Sequence, residues 1–145
     1  MDFCKRSLAS GVDLLGLKIV VDAANGACHE VAPIVFHELG AHVIVMGAAP
    51  NGLNINDHVG ATVPQYLLQA VRAHRADVGI ALDGDGDRLA MVDAEGRIFE
   101  GDELLYVLAC DTQRHGVLMT ASSRLCRCSA RCAVRERGWL NSAMA

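Results

Sequence analysis

Asp77 to Val92 reads DVGIALDGDGDRLAMV. Two short apolar runs, Asp77 to Leu82 and Leu89 to Val92, flank the segment Asp83-Gly84-Asp85-Gly86-Asp87-Arg88. Apolar runs this short, bounded by glycine and aspartate, predict buried strands rather than helices. The link between them is too short for a crossover, so the two strands must run antiparallel.

Upstream, two more apolar runs alternate with helical patterns. Leu17 to Asp22 (LKIVVD) predicts a strand closed by the turn Ala23-Ala24-Asn25-Gly26. Glu30 to Leu39 places Val31, Ile34, Val35 and Leu39 at helical spacing, with Gly40 to end the helix. Pro33 fits only a first turn, which moves the expected start of regular helix to about Ala32. His42 to Met46 predicts a second buried strand, followed by an Asn-, Gly- and Pro-rich loop from Ala49 to Gly60. Thr62-x-x-Gln65 has the form of a capping box, with Pro64 in the first turn and Val63, Leu67, Ala70 and Val71 on one stripe. Downstream, Arg97 to Phe99 predicts a short fifth strand. Asp102 is the expected cap of a helix reaching His115, with Leu104, Leu105 and Leu108 inward and Gly116 as its stop.

The order β-α-β-α-β-β-(β)-α specifies an α/β fold. Right-handed crossovers give a three-layer, mainly parallel mixed sheet with helices on both faces. The last main strand is antiparallel. Composition agrees with this class. The chain has 145 residues, 52% hydrophobic and 21% charged, with only 4% aromatic, so aliphatic side chains must fill one core.

The formal net charge of −4 argues against a nucleic-acid partner, which needs a basic face. Residues 1–120 are acidic overall, whereas residues 121–145 carry five arginines and one acid. The helical and alternating patterns stop near Gly116. The expected domain is therefore 1–116, with 117–145 a divergent tail outside the fold. No apolar run is long enough to span a membrane, and the first residues lack the apolar stretch of a signal peptide. A cytoplasmic protein with free thiols is expected. Cys126, Cys128 and Cys132 lack a fourth ligand at zinc spacing.

The acidic loop carries the chemistry. Three carboxylates alternating with glycines repel one another unless a cation sits between them, and the glycines let them converge. Oxygen-only ligands suit Mg²⁺, Mn²⁺ or Ca²⁺ and not zinc. A solvated acidic hairpin needs fewer aspartates than this. An EF-hand fails, because its sixth and twelfth positions are Arg88 and Ala94. A phosphatase-type aspartate nucleophile is a further alternative, but its downstream lysine and second acidic pair have no place after Gly116.

Asp83-Gly-Asp-Gly-Asp-Arg88 resembles the metal-binding loop of the α-D-phosphohexomutase superfamily. Val21-Asp22-Ala23-Ala24-Asn25-Gly26-Ala27, Phe36-x-Glu38-Leu39-Gly40-Ala41, Gly52-Leu53-Asn54-Ile55-Asn56-Asp57-x-x-Gly60-Ala61-Thr62, and Met91-Val92-Asp93-x-x-Gly96 with Gly101-Asp102 resemble the bacterial phosphoglucosamine mutases. The similarity runs from about Phe3 to about Gly116 and covers only the second of that family's four domains.

The resemblance implies Asp83, Asp85 and Asp87 as ligands of Mg²⁺ and Arg88 as a phosphate contact, with an ion pair to an acid such as Asp22 as its alternative role. It implies interconversion of glucosamine 6-phosphate and glucosamine 1-phosphate through a phosphoserine and a bisphosphate. The hexosamine phosphate is the partner in the intact enzyme, and the phosphoserine-bearing domain is absent here, so no catalytic nucleophile is assigned. Alternatives are a non-catalytic Mg²⁺-binding module, or another phosphohexomutase acting as a phosphomannomutase or phosphoglucomutase. The Asn51–Asp57 loop is expected at a domain interface, and Asn25-Gly26 as a simple turn.

Overall fold

An apolar strand without alternation is expected where both faces of a sheet are covered. In the computed structural model, which describes residues 13–114, β1 (Lys18–Asp22) lies between β2 (His42–Met46) and β3 (Val78–Leu82). Both pairings are parallel. β4 (Leu89–Asp93) returns antiparallel to β3, and β5 (Ile98–Phe99) antiparallel to β4. The sheet order is β2-β1-β3-β4-β5. This is the mixed α/β sheet expected from the sequence.

The two crossovers run in opposite directions from β1, one outward to β2 and one back across to β3. Right-handed connections then place their helices on opposite faces. Helix α1 (Val31–Glu38) covers one face, where Ile19, Val21 and Ile80 are buried against Ala32 and Phe36. Helix α2 (Pro64–His74) covers the other, where Val20, Ala81, Ala90 and Val92 meet Leu67 and Val71. Gly79 on β3 is required by this packing. A methyl there would lie 2.6 Å from Val71 Cγ2 and 2.9 Å from Leu67 Cδ1.

Several local expectations are corrected. β2 is an edge strand with no fully buried residue, because only β1 flanks it. Helix α1 starts at Val31, ahead of Pro33, which occupies its first turn. Its inward residues are Ala32 and Phe36, while Val31 and Ile34 are exposed. The capping box at Thr62 does not form: Val63 is the N-cap, without a side-chain bond, and Pro64 opens α2. Proline's preset φ suits the first helical position, so Pro64 opens the helix and Thr62 falls one residue outside the cap position.

Beyond Phe99 the chain forms a separate unit, considered by itself. It carries α3 (Gly101–Arg114), whose first bonds run from the Glu103 and Leu104 N–H groups to the Glu100 carbonyl, so Asp102 lies inside the helix and does not cap it. The Glu103 carboxylate accepts from the Glu100 N–H at 3.3 Å, the reach-back half of a capping box. Leu104 is half-buried, whereas Leu105 and Leu108 are exposed rather than inward. The boundary at 116, the stop at Gly116, and Cys126, Cys128 and Cys132 lie outside the described residues.

Leu67 is wholly inaccessible and sits between α2 and the sheet. Leu67→Ala is expected to cost about 2–5 kcal/mol in urea unfolding. Val31→Ala, at an exposed position of α1, is expected to cost less than about 1 kcal/mol.

Candidate metal centre

Parallel pairing of β1 with β3 sets their carboxyl ends side by side, with Asp22 opposite Ala81. The chain leaves β1 for β2 on one side and later enters β3 on the other. The crevice at such a switch point is where open α/β sheets bind ligands. The Asp83–Arg88 loop leaves β3 at this rim, and the Ala23–Ala27 turn leaves β1 beside it.

The base of the rim is polar and buried. Asp22 is inaccessible; its Oδ1 accepts the Ala24 N–H at 2.9 Å and its Oδ2 the Gly60 N–H at 2.7 Å. One carboxylate thus ties the β1 turn to the end of the 49–60 loop. Asn25, in a left-handed conformation (φ 50°), does more than turn the chain. Its N–H donates to the Gly47 carbonyl, its Oδ1 accepts from the Ala49 N–H at 3.0 Å, and its Nδ2 donates to the Asn54 carbonyl at 3.2 Å. The 49–60 loop is further braced from within. Asn51 Oδ1 accepts from the Leu53 and Asn54 amides, and Asn54 Nδ2 donates to the Ala49 carbonyl. Leu53 and Ile55 remain exposed on it.

The acidic loop rests directly on the β1 turn. The Ala27 N–H donates to the Gly84 carbonyl at 2.8 Å. A methyl on Gly26 would collide with the Gly84 carbonyl oxygen and lie 2.7 Å from its Cα. Here glycine is needed for close backbone approach. At Gly86 it is needed for conformation, since φ is +79°. The signal for Gly26 was present in the sequence as an Asn-Gly turn, but its partner across the sheet was not.

Asp83 is inaccessible, whereas Asp85 and Asp87 are exposed. One carboxylate oxygen from each lies within 4.8 Å of the others. Among the described residues this is the cluster of acids, histidines and cysteines with the geometry to hold a cation. Asp83 Oδ1 accepts the Gly86 N–H at 3.0 Å and the Arg88 N–H at 3.1 Å. Its Oδ2 accepts from Arg88 Nε at 2.6 Å, and the same nitrogen lies 3.6 Å from Asp87 Oδ1. The ion-pair partner of Arg88 is therefore Asp83 and not Asp22, because the tight loop folds the guanidinium back over its own first aspartate.

These contacts separate the carboxylates electrostatically. Burial pushes the Asp83 carboxyl up, but the Arg88 amide and guanidinium outweigh it and hold the group at about 2. Asp87 is displaced upward, first by the charge of Asp85 and then by its contact with Asp83. The Arg88 guanidinium is held more firmly protonated, chiefly by its bond to Asp83.

Two outcomes follow from this geometry. Gly26→Ala is expected to destabilise the domain by about 1–3 kcal/mol, read by chemical denaturation, because backbone must shift. The second concerns pH. Asp83 titrates below its ordinary 3.8, so its contribution is full above about pH 4 and is lost as pH falls toward 2. Arg88→Gln removes the guanidinium's share of that contribution and leaves the share of the backbone amide. The stability gap between the parent and Arg88→Gln is thus expected to be widest above pH 5 and to narrow toward pH 2 in acid titrations of unfolding.

Residues 6–96 match the family model described as phosphoglucomutase/phosphomannomutase, alpha/beta/alpha domain II. The chain is 65% identical over 111 residues to a phosphoglucosamine mutase of Burkholderia multivorans, covering 77% of this chain and 25% of that protein. It is 60% identical over 116 residues to a phosphoglucosamine mutase of Polaromonas naphthalenivorans, covering 80% of this chain and 26% of the relative. It therefore spans about a quarter of the length of these relatives. The crystal structure of a phosphoglucomutase/phosphomannomutase family protein from Burkholderia thailandensis superposes with a TM-score of 0.61 at 33% identity, over 68% of this chain and 22% of that one. With its fold, its switch-point loop and a family match over most of its length, the chain belongs to the phosphoglucomutase/phosphomannomutase family and carries its α/β/α domain II.

Proposed function

We propose that this domain supplies the cation-holding loop of a phosphoglucosamine mutase, with Mg²⁺ as the ion. The observation that carries the reading is the convergence of Asp83, Asp85 and Asp87 at the carboxyl end of β3. The donor set fits the ion. All three donors are hard carboxylate oxygens, and neither a thiolate nor an imidazole belongs to the cluster. High identity to proteins named phosphoglucosamine mutase supports the substrate class, a hexosamine phosphate.

When bound, Mg²⁺ supplies Lewis-acid neutralisation of charge on a transferring phosphoryl group. In this reading Asp83 is the fixed ligand, buried and already ionised, while Asp85 and Asp87 close from the solvent side. The Arg88 side chain is 64% exposed, so its guanidinium can turn donors to phosphoryl oxygens while its amide still holds Asp83. A phosphoserine from another part of the enzyme gives its phosphoryl group to one oxygen of the sugar phosphate, forming a bisphosphate. The other phosphoryl group of that bisphosphate then returns to the serine, so glucosamine 6-phosphate and glucosamine 1-phosphate interconvert without net loss of phosphate. No helix among the described residues is long and apolar enough to cross a membrane.

Calorimetric titration of this chain with Mg²⁺ is expected to show weak binding, since three protein ligands leave about half of an octahedral shell to water. Asp85→Asn is expected to weaken binding by about tenfold or more while leaving the metal-free domain as stable or slightly more so, because a like charge is removed beside Asp87. Equal binding by both proteins overturns the metal assignment. In an enzyme carrying all domains, Asp85→Asn is expected to lower isomerisation of glucosamine phosphate strongly. Faster turnover of mannose or glucose phosphates by that enzyme would move the substrate to a phosphomannomutase or phosphoglucomutase.

A further inference from the structure

The geometry points to Asn56 as a positioning residue for the carboxylate loop, a role that rests on the metal reading above. Asn56 is not one of the three carboxylates of the cluster. It lies in the 49–60 loop in a left-handed conformation (φ 58°), and its N–H donates to the Ala24 carbonyl at 2.9 Å. That bond fixes its backbone on the β1 turn. Its carboxamide is directed between two glycines. A methyl added at Gly84 would lie 3.1 Å from Asn56 Nδ2, and one added at Gly60 would lie 3.1 Å from Asn56 Oδ1. Both positions lack a side chain where the carboxamide passes. Ile55 closes the same gap, its Cγ2 against the place a methyl on Gly84 would take.

The Asn56 Oδ1 atom is buried and accepts no hydrogen bond. A buried acceptor left without a donor weakens a fold, so hydrogen bonding by the carboxamide oxygen does not account for the side chain here. The left-handed backbone favours glycine or asparagine at this position, and of the two only asparagine reaches the gap beside Gly84. Its carboxamide is a flat, stiff spacer that sets the height of Gly84, and so of Asp83 and Asp85 on either side, above the β1 turn. Supporting groups of this kind govern metal affinity although they touch no metal.

Asn56→Gly tests this, because glycine keeps the left-handed backbone and removes the spacer. Leu53→Ala is the control, an exposed side chain of the same loop with 93% of its surface free. Two readouts apply to the whole chain: Mn²⁺ binding followed by its paramagnetic resonance, and hydrogen exchange of the Gly86 and Arg88 amides that donate to Asp83. Asn56→Gly is expected to raise the Mn²⁺ dissociation constant about tenfold. It should speed exchange at those two amides and shift the melting temperature by no more than about 5 °C. Leu53→Ala should match the parent in all three. Unchanged affinity and exchange overturn the proposal. So does exchange that quickens equally across β1 and β3, which would make Asn56 a support of the whole fold. If the parent binds no Mn²⁺, the metal reading fails. The exchange comparison then decides the positioning role alone, by whether faster exchange is confined to Gly86 and Arg88. Asn56→Ser, also too short to reach Gly84, repeats both readouts should the glycine variant not fold.

Discussion

A carboxylate removed from water must be met by donors, and Asp22 at the end of β1 meets that demand with backbone alone. Its two oxygens accept from Ala24 and Gly60. A buried anion that loses such donors is strongly unfavourable, so the two chain segments supplying them are held in one place. Everything on the functional rim is built above this junction. The β1 turn is locked, the 49–60 loop is drawn over it, and Gly47 must be small because a methyl there would lie 2.5 Å from Asp22 Oδ1. The acidic loop of β3 then rests on a surface that is already rigid.

Rigidity beneath the loop matters because the loop itself is electrostatically opposed to its own shape. Three acids within a few ångströms raise the free energy of the ion-free state. The protein divides the load unevenly. Asp83 is buried but compensated by Arg88, and Asp87 is exposed and carries the upward displacement caused by its neighbours. One carboxylate is thereby kept ionised and fixed, while the others stay in solvent where charge is cheaply hydrated.

Much of this was legible from residue order. Continuous apolar runs marked β1 and β3 as covered on both faces, and the five-residue span between Leu82 and Arg88 forced an antiparallel return. The alternation of Asp and Gly announced converging carboxylates. Where the reading failed, a competing physical effect was responsible. Val31 and Ile34 have the right spacing for a core face, yet Ala32 and Phe36 are turned inward, because helix rotation is set by the sheet beneath and not by the helix alone. The Thr62 box has the right letters, but Pro64 begins the helix one position too late for it.

Local pattern thus sufficed for element types, for the mixed sheet and for the three ligand candidates, since each depends on residues adjacent in the chain. The contact of Gly26 with Gly84, the pairing of Arg88 with Asp83 rather than Asp22, and the seat of Asn56 between Gly60 and Gly84 depend instead on which strand ends become neighbours. That adjacency arises when β3 returns beside β1. It brings together residues 58 positions apart in the chain, Gly26 and Gly84, at backbone contact distance. No periodicity encodes such a meeting; it exists because crossovers of one hand bring two strands into parallel register.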